Sequence, residues 1–222
     1  MDAAIIFDMD GLLIDSEILW EKVERALLAS HGREYDSEIA RKHIGMRMDE
    51  CTALMLREYH IDSDRAEFEA QLVDNVLAEF KRSLTLMAGA EQVMALANSL
   101  GVPVAIASSS PMRVVQYVVD HFGWRARLQA ICSGEEVARG KPAPDVYLLA
   151  AERIGVAPAH CVALEDSLNG ARAARAAGMH CIAVPNHAYK PSDFENIAHH
   201  IVSSLEDVTQ EDLLRRKSER AA

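Results

Sequence analysis

Residues 3–17, AAIIFDMDGLLIDSE, open with an apolar run of strand length, 3–7, that stops at two aspartates, Asp8 and Asp10, followed by Gly11. A short run that is apolar at every position reads as a strand buried on both faces, the kind found in parallel sheets. The runs 102–107, 130–132, 161–164 and 180–184 have the same character. Between them lie amphipathic helical patterns at 90–100, 112–122, 144–154 and 168–177, and each meets a glycine stop, at Gly101, Gly123, Gly155 and Gly178. Strand alternating with helix predicts an α/β protein, a parallel sheet with helices on both faces.

The alternation is interrupted once. From about residue 16 to residue 83 there is no strand pattern, only helical periodicity around 17–30, 36–43, 48–59 and 64–82, and no proline falls between Met1 and Pro103 to break it. The chain therefore divides into an α/β core, 1–15 with 84–222, and an inserted helical cap, 16–83, with segments 12–16 and 84–89 as hinges. Internal repeats and low-complexity tracts are absent, and the tail 215–222 is polar and reads as frayed.

Composition narrows the function classes. Among 222 residues, 23 Lys and Arg oppose 34 Asp and Glu, a formal charge of −11 that repels nucleic-acid backbones and anionic membrane surfaces. No nucleic-acid or membrane partner is expected, and an anionic substrate needs a local remedy such as a metal ion. The N-terminus has no basic region before its apolar run, and that run is far shorter than a membrane span, so a cytoplasmic protein is expected. A monomer is the expected state, although no feature of the chain marks its oligomeric state. Cys51, Cys132, Cys161 and Cys181 form no CxxC pair, and three of them lie in apolar runs where a thiol packs as a small hydrophobe.

In an open parallel sheet, ligands bind beyond the carboxyl ends of the strands, so the residue after each run matters. Those residues are Asp8 and Asp10, then Ser108, then Glu165 and Asp166, and the loop GKPAPD adds Lys141 to the same edge. Each has an ordinary use taken alone: aspartate in turns and helix caps, Ser108 as an N-cap, Lys141 in solvent, and Asp166 or Ser167 capping the next helix. Together they converge four carboxylates, and like charges a few ångströms apart cost several kcal/mol without a cation. Mg²⁺, which takes one or two carboxylates plus waters and phosphate oxygens, suits Asp8 and Asp166 better than a calcium cage would. A metal, an ammonium, a hydroxyl and a free carboxylate make a site for a phosphoryl group.

These residues carry a resemblance that spans essentially the whole chain. DMDGLLIDSE resembles the opening motif of the haloacid dehalogenase (HAD) superfamily. SSS around Ser108, GKPAPDVY around Lys141 and LEDSLNG around Asp166 resemble its remaining three motifs in order. The helical insertion is similar to the small α-helical cap of the β-phosphoglucomutase and sugar-phosphate phosphatase branch. The resemblance implies a Rossmann-like three-layer core plus that cap. It also implies Asp8 as nucleophile forming an aspartyl-phosphate, and Asp10 as general acid and then base. For the acid role Asp10, with an intrinsic pKa near ~3.9, must be raised or have its proton held by a hydrogen bond. Mg²⁺, with Mn²⁺ or Co²⁺ able to substitute, would be held by Asp8, the Asp10 backbone carbonyl and Asp166, with Glu165 helping directly or through water. Ser108 and Lys141 would hold phosphoryl oxygens, with backbone N–H donors around Gly11 and Ser109.

Within the cap, Trp20, His43, Met46, Arg47 and Met48 stand near positions that face the active site in this branch. Trp20 and Arg47 are the specificity candidates, Arg47 as a grip on a sugar hydroxyl or distal oxygen; ordinary cap packing is the alternative for it and for the methionines. Asp10 argues against a dehalogenase, and Leu19 and Trp20 stand where the mutase type has a histidine in a longer segment. The fragments IGMRMDE, HCVALEDSLNGARAARAAGM, VPN and SSLEDVTQEDLL resemble bacterial hexose- and hexitol-phosphatases. The expected reaction is Mg²⁺-dependent hydrolysis of a small sugar phosphate: a hexose 6-phosphate, 2-deoxy sugar phosphate or hexitol phosphate. A sugar phosphomutase and a phosphoglycolate or nucleotide phosphatase are the alternatives.

Overall fold

A computed structural model describes residues 3–214, and the tail 215–222 lies outside the described residues. Six strands, β1 Ala4–Phe7, β2 Val104–Ser108, β3 Ala130–Ser133, β4 Cys161–Glu165, β5 His180–Ala183 and β6 His200–Ile201, form one sheet. Its order is β3-β2-β1-β4-β5-β6, with every pairing parallel. The chain leaves β1 in one direction, through β2 and β3, and returns to its other side as β4. The crevice between those directions is where a doubly wound sheet binds its ligand.

Strand residues alternate between two cores, and the two differ in bulk. Ile5, Phe7, Val104, Ile106, Val162, Leu164 and Ile182 face one side, packed with helices α5 (Ala90–Ser99) and α6 (Met112–His121). Ala4, Ile6, Ala105, Ala107, Cys132, Cys161, Ala163 and Cys181 face the other, against α7 (Asp145–Ile154) and α8 (Leu168–Ala176). Small side chains on that face let α7 and α8 lie close, and all four cysteines of the chain are buried free thiols. A short helix, α9 (Gln210–Leu214), ends the described chain beside α5.

The helical segment expected at 16–83 is four helices: α1 Glu17–Ser30, α2 Ser37–His43, α3 Met48–Glu58 and α4 Arg65–Ser83. Asp36 and Asp64 cap α2 and α4 by accepting from the backbone N–H of Glu38 and Glu67. Their apolar faces meet through Leu19, Val23, Leu27, Met55, Phe68, Leu72 and Phe80. The segments entering and leaving this unit are tied to each other. Asp15 N–H donates to Thr85 O at 3.0 Å, Met87 N–H donates to Leu13 O at 3.0 Å, and Ile14 bridges Leu86. Among the described residues no helix is long and apolar enough to cross a membrane.

Sequence periodicity locates five strands and eight helices to within one or two residues. It misses β6, two residues beginning with a histidine, and α9. Because the α7 and α8 side of the sheet is built of small residues, Ala163→Leu should lower stability by about 1–3 kcal/mol through overpacking, measured by urea unfolding. An unchanged midpoint would show that side to have room to spare.

Candidate active site

β1 delivers Asp8 and Asp10 to the carboxyl edge, β4 delivers Glu165 and Asp166, and the loop before α7 delivers Lys141. Gly11 makes the convergence possible: its φ is +74°, and a Cβ there would stand 2.2 Å from Asp166 Oδ2. Gly170 in α8 does the same for Glu165, whose Oε1 would lie 1.8 Å from an added Cβ. The Lys141–Pro142 peptide is cis.

Asp8, Lys141, Glu165 and Asp166 are all buried. Lys141 Nζ donates to Asp8 Oδ1 at 2.5 Å and to Glu165 Oε1 at 2.6 Å, and the Tyr147 hydroxyl also donates to Glu165 Oε1 at 2.6 Å. The other Glu165 oxygen accepts from the Ser167 hydroxyl at 3.2 Å and from the N–H groups of Asp166 and Ser167. Asp166 Oδ2 accepts from Asn186 Nδ2 at 2.6 Å. Burial pushes Asp8 well above the usual carboxylate range, and the pull of Lys141 does not outweigh that burial. Burial, then Asp8 and Glu165, push Asp166 up likewise. Burial opposes the Lys141 ammonium, but Asp8 and Glu165 overcome it and hold the charge on.

Ligand oxygens of Asp8, Glu165 and Asp166 lie within 4.8 Å of one another. Fully ionised, these three carboxylates against one ammonium leave two uncompensated negative charges, the charge of one divalent cation. All the donors are oxygens, which suits a hard ion. Glu165 has both oxygens committed to protein donors, leaving Asp8 and Asp166 as the carboxylates with capacity to spare.

Asp10 points elsewhere. Its Oδ1 accepts from Ser16 Oγ at 2.9 Å and Trp20 Nε1 at 3.0 Å, and its Oδ2 accepts from Ser110 Oγ at 2.8 Å and Ser108 Oγ at 3.3 Å. Half of these donors come from the start of the helical unit and half from the end of β2 and the loop after it. Ser108 is thus turned toward Asp10 and not toward the cavity, while Ser109 and Ser110 line the cavity. The helical unit meets the core loops nearby, through Ser109 Oγ on Gly45 O at 2.8 Å and Asn169 Nδ2 on Ile44 O at 3.0 Å.

A cavity of about 260 Å³ runs from Asp8, Asp10 and Asp166 into the helical unit, along Glu17, Trp20, Glu24, His43, Met46 and Met48. Four of the five cap residues singled out from sequence line it. Arg47 does not. Its guanidinium binds Asp49 through two contacts of 2.5 and 2.7 Å and donates to Val137 O at 2.6 Å, bridging α3 to the loop ahead of Lys141. Sequence reasoning missed Asn186, Ser110, Ser16 and Tyr147. Asn186 was within its reach, since it comes after β5 as Asp8 comes after β1.

The chain belongs to the haloacid dehalogenase-like hydrolase family, whose profile matches residues 3–178. Hexitol phosphatase B of Escherichia coli K12 is 36% identical over 217 residues, covering 95% of this chain and 96% of that protein. The phosphorylated carbohydrates phosphatase of Thermotoga maritima is 29% identical over 176 residues, 79% of this chain and 82% of that one. Among solved structures, CbbY from Rhodobacter sphaeroides, crystallised with xylulose-(1,5)bisphosphate, superposes with a TM-score of 0.85 at 30% identity. The match covers 96% of this chain and 99% of CbbY.

Two cavity carboxyls have raised pKa values, Glu17 to about 7 and Glu24 to about 8, in each case by burial first and then by neighbouring acids. A carboxyl raised on folding contributes stability that is fully present below its unfolded pKa and is lost as pH rises through the folded value. Glu24→Gln should therefore match the wild type near pH 4.5 and exceed it in stability by pH 8, measured by urea unfolding across that window. Parallel curves would show Glu24 to be solvated.

Proposed function

We propose that this protein is a Mg²⁺-dependent phosphomonoester hydrolase acting on small sugar phosphates through an aspartyl-phosphate on Asp8. The observation that carries the reading is a buried aspartate beside a buried lysine at the mouth of a crevice shared with Asp10 and Asp166. Residues 16–83 act as a cap over that crevice. Phosphatase names among relatives that cover nearly the whole chain support the same reaction class.

Asp8, Asp166 and the Asp10 backbone carbonyl would hold Mg²⁺, with Glu165 at one remove because its oxygens are occupied. When bound, the ion supplies the positive charge that the transferring phosphoryl group needs. An Asp8 carboxylate oxygen attacks phosphorus, the ester P–O bond breaks, and Asp10 gives its proton to the departing alkoxide oxygen. Water then attacks the phosphoryl group while Asp10 takes a proton from it, and phosphate and free Asp8 result. Lys141 holds the Asp8 carboxylate and neutralises the phosphoryl oxygens, and the backbone N–H of Ser109 adds a donor, whereas that of Gly11, expected from sequence to join it, is taken by Ile14 O at 3.0 Å. Trp20 and Ser16 position Asp10, which ties the acid to the helical unit. Arg47 serves as a tie between cap and core through Val137.

The test is phosphate release from a panel of hexose 6-phosphates, 2-deoxy sugar phosphates, hexitol phosphates, phosphoglycolate and nucleotides, with Mg²⁺ and with a chelator. Mg²⁺-dependent release favouring sugar phosphates is expected; isomerisation of β-glucose 1-phosphate without release would overturn the reading. Asp8→Asn should fall to background while remaining folded. Asp10→Asn should lose about 10²–10⁴-fold in kcat, the worth of general acid–base catalysis.

A further inference from the structure

Arg47 stands between two cavity residues and does not join them. Met46 and Met48 line the crevice, whereas Arg47, the N-cap of α3, has an extended backbone (φ −67°, ψ 147°) that sends its side chain the other way. That way lies the loop 134–141, which ends in Lys141.

The stem of Arg47 is fitted into this loop. A Cβ on Gly140 would stand 2.8 Å from Arg47 Cβ, and a Cβ on Gly134 would stand 3.1 Å from Arg47 Cγ, both closer than carbon atoms pack. Neither glycine adopts a positive φ, so backbone conformation does not call for glycine at either position. Space does. The two glycines, one at each end of the loop, leave a slot between them, and Arg47 fills it.

Polar contacts follow the stem. Arg47 Nη1 donates to Val137 O at 2.6 Å, in the middle of the loop, while Nε and Nη2 hold both oxygens of Asp49 and so fix the plane of the guanidinium. Glu50, on the first turn of α3, accepts from the N–H of Gly140, the residue before Lys141, at 3.4 Å. The core anchors the other end of the loop, where Glu136 pairs with Arg153 of α7 and accepts from the Ser133 N–H. From Val137 to Lys141 the brace comes from the helical unit.

What hangs on that brace is the buried Lys141 ammonium, 2.5 Å from Asp8 Oδ1 and 2.6 Å from Glu165 Oε1. A misplacement of about 1 Å at a reacting centre costs about 10²-fold in rate. We propose that Arg47, with Glu50 beside it, is a positioning residue for Lys141: by filling the slot between Gly134 and Gly140 and holding Val137 O, it sets where the ammonium stands against Asp8. It therefore acts on transfer of any phosphoryl group, whatever the rest of the substrate. This rests on the hydrolase reading above and deepens it. An arginine that gripped the sugar would matter only for substrates that carry one, and this guanidinium is already committed to Asp49 and Val137.

The experiment compares wild type, R47A, R47K and E50A as Mg²⁺-loaded enzymes on glucose 6-phosphate and on acetyl phosphate, which has no sugar. It also measures Mg²⁺ binding to each by calorimetry without substrate. R47A should lose about 10- to 100-fold in kcat/KM on both substrates alike. R47K, which keeps the stem and a donor for Val137 O, should recover part of that loss on both. E50A, at a partly exposed residue, should lose about 2- to 10-fold on both, the net worth of one hydrogen bond. Mg²⁺ affinity should hold or rise in R47A, because Lys141 and the cation both lean on Asp8, and an ammonium that drifts away frees that carboxylate. Weaker Mg²⁺ binding alongside lost turnover would mean a general loosening of the site and overturns the proposal. So does a loss confined to glucose 6-phosphate, or one that R47K leaves unrecovered. Unchanged turnover of acetyl phosphate by folded R47A, or by E50A where R47A does not fold, overturns it too and leaves the hydrolase reading standing. A wild type that releases phosphate from neither substrate overturns both.

Discussion

Three carboxylates and one ammonium buried at the end of two neighbouring strands are the constraint around which the rest is arranged. Burying like charges within 4.8 Å costs several kcal/mol unless each is met by a donor or a cation. The protein meets that demand unevenly. Glu165 is fully satisfied by Lys141, Tyr147 and the Ser167 hydroxyl, while Asp166 receives one side-chain donor, Asn186. The deficit falls on Asp8 and Asp166, the pair facing the crevice. Gly11 and Gly170 answer to the same constraint, since side chains at either would occupy the space the carboxylates need. Ser167, two residues after Glu165 and the N-cap of α8, reaches it across the turn between strand and helix.

Asp10 obeys a different logic. Its four donors come from two places, Ser16 and Trp20 at the root of the helical unit and Ser108 and Ser110 in the core. A rigid shift of α1 relative to the core breaks one half of that set and keeps the other. The position of the Asp10 carboxylate and the position of the helical unit are therefore coupled. The segments that enter and leave the helical unit are paired to each other through Ile14 and Leu86.

Much of this was legible in the chain. Apolar runs of three to six residues located the strands because parallel strands are buried on both faces, and the positions at the carboxyl ends of those runs hold Asp8, Asp10, Ser108, Glu165 and Asp166. The residues that escaped did so for physical reasons. Ser16 and Ser110 act through hydroxyls that leave no pattern, and β6 is too short and too polar to stand out. Glu17, Glu21 and Glu24 occupy one helical face and read as a solvated stripe, because a helix lining a polar cavity has the same periodicity as one facing water. Arg47 finds its partner two residues away in Asp49, a local pairing that a search for long-range ligands passes over.

The acidic lining of the cavity also reconciles a chain of net charge −11 with an anionic substrate. Positive charge is spent at one place, Lys141 and the cation that the surplus at Asp8 and Asp166 would hold, so affinity for the phosphoryl group is concentrated where bonds change. Elsewhere the cavity is acidic. Its lining there carries Glu17, Glu21 and Glu24 against one exposed arginine, Arg41, so a second anionic group would meet more carboxylates than cations.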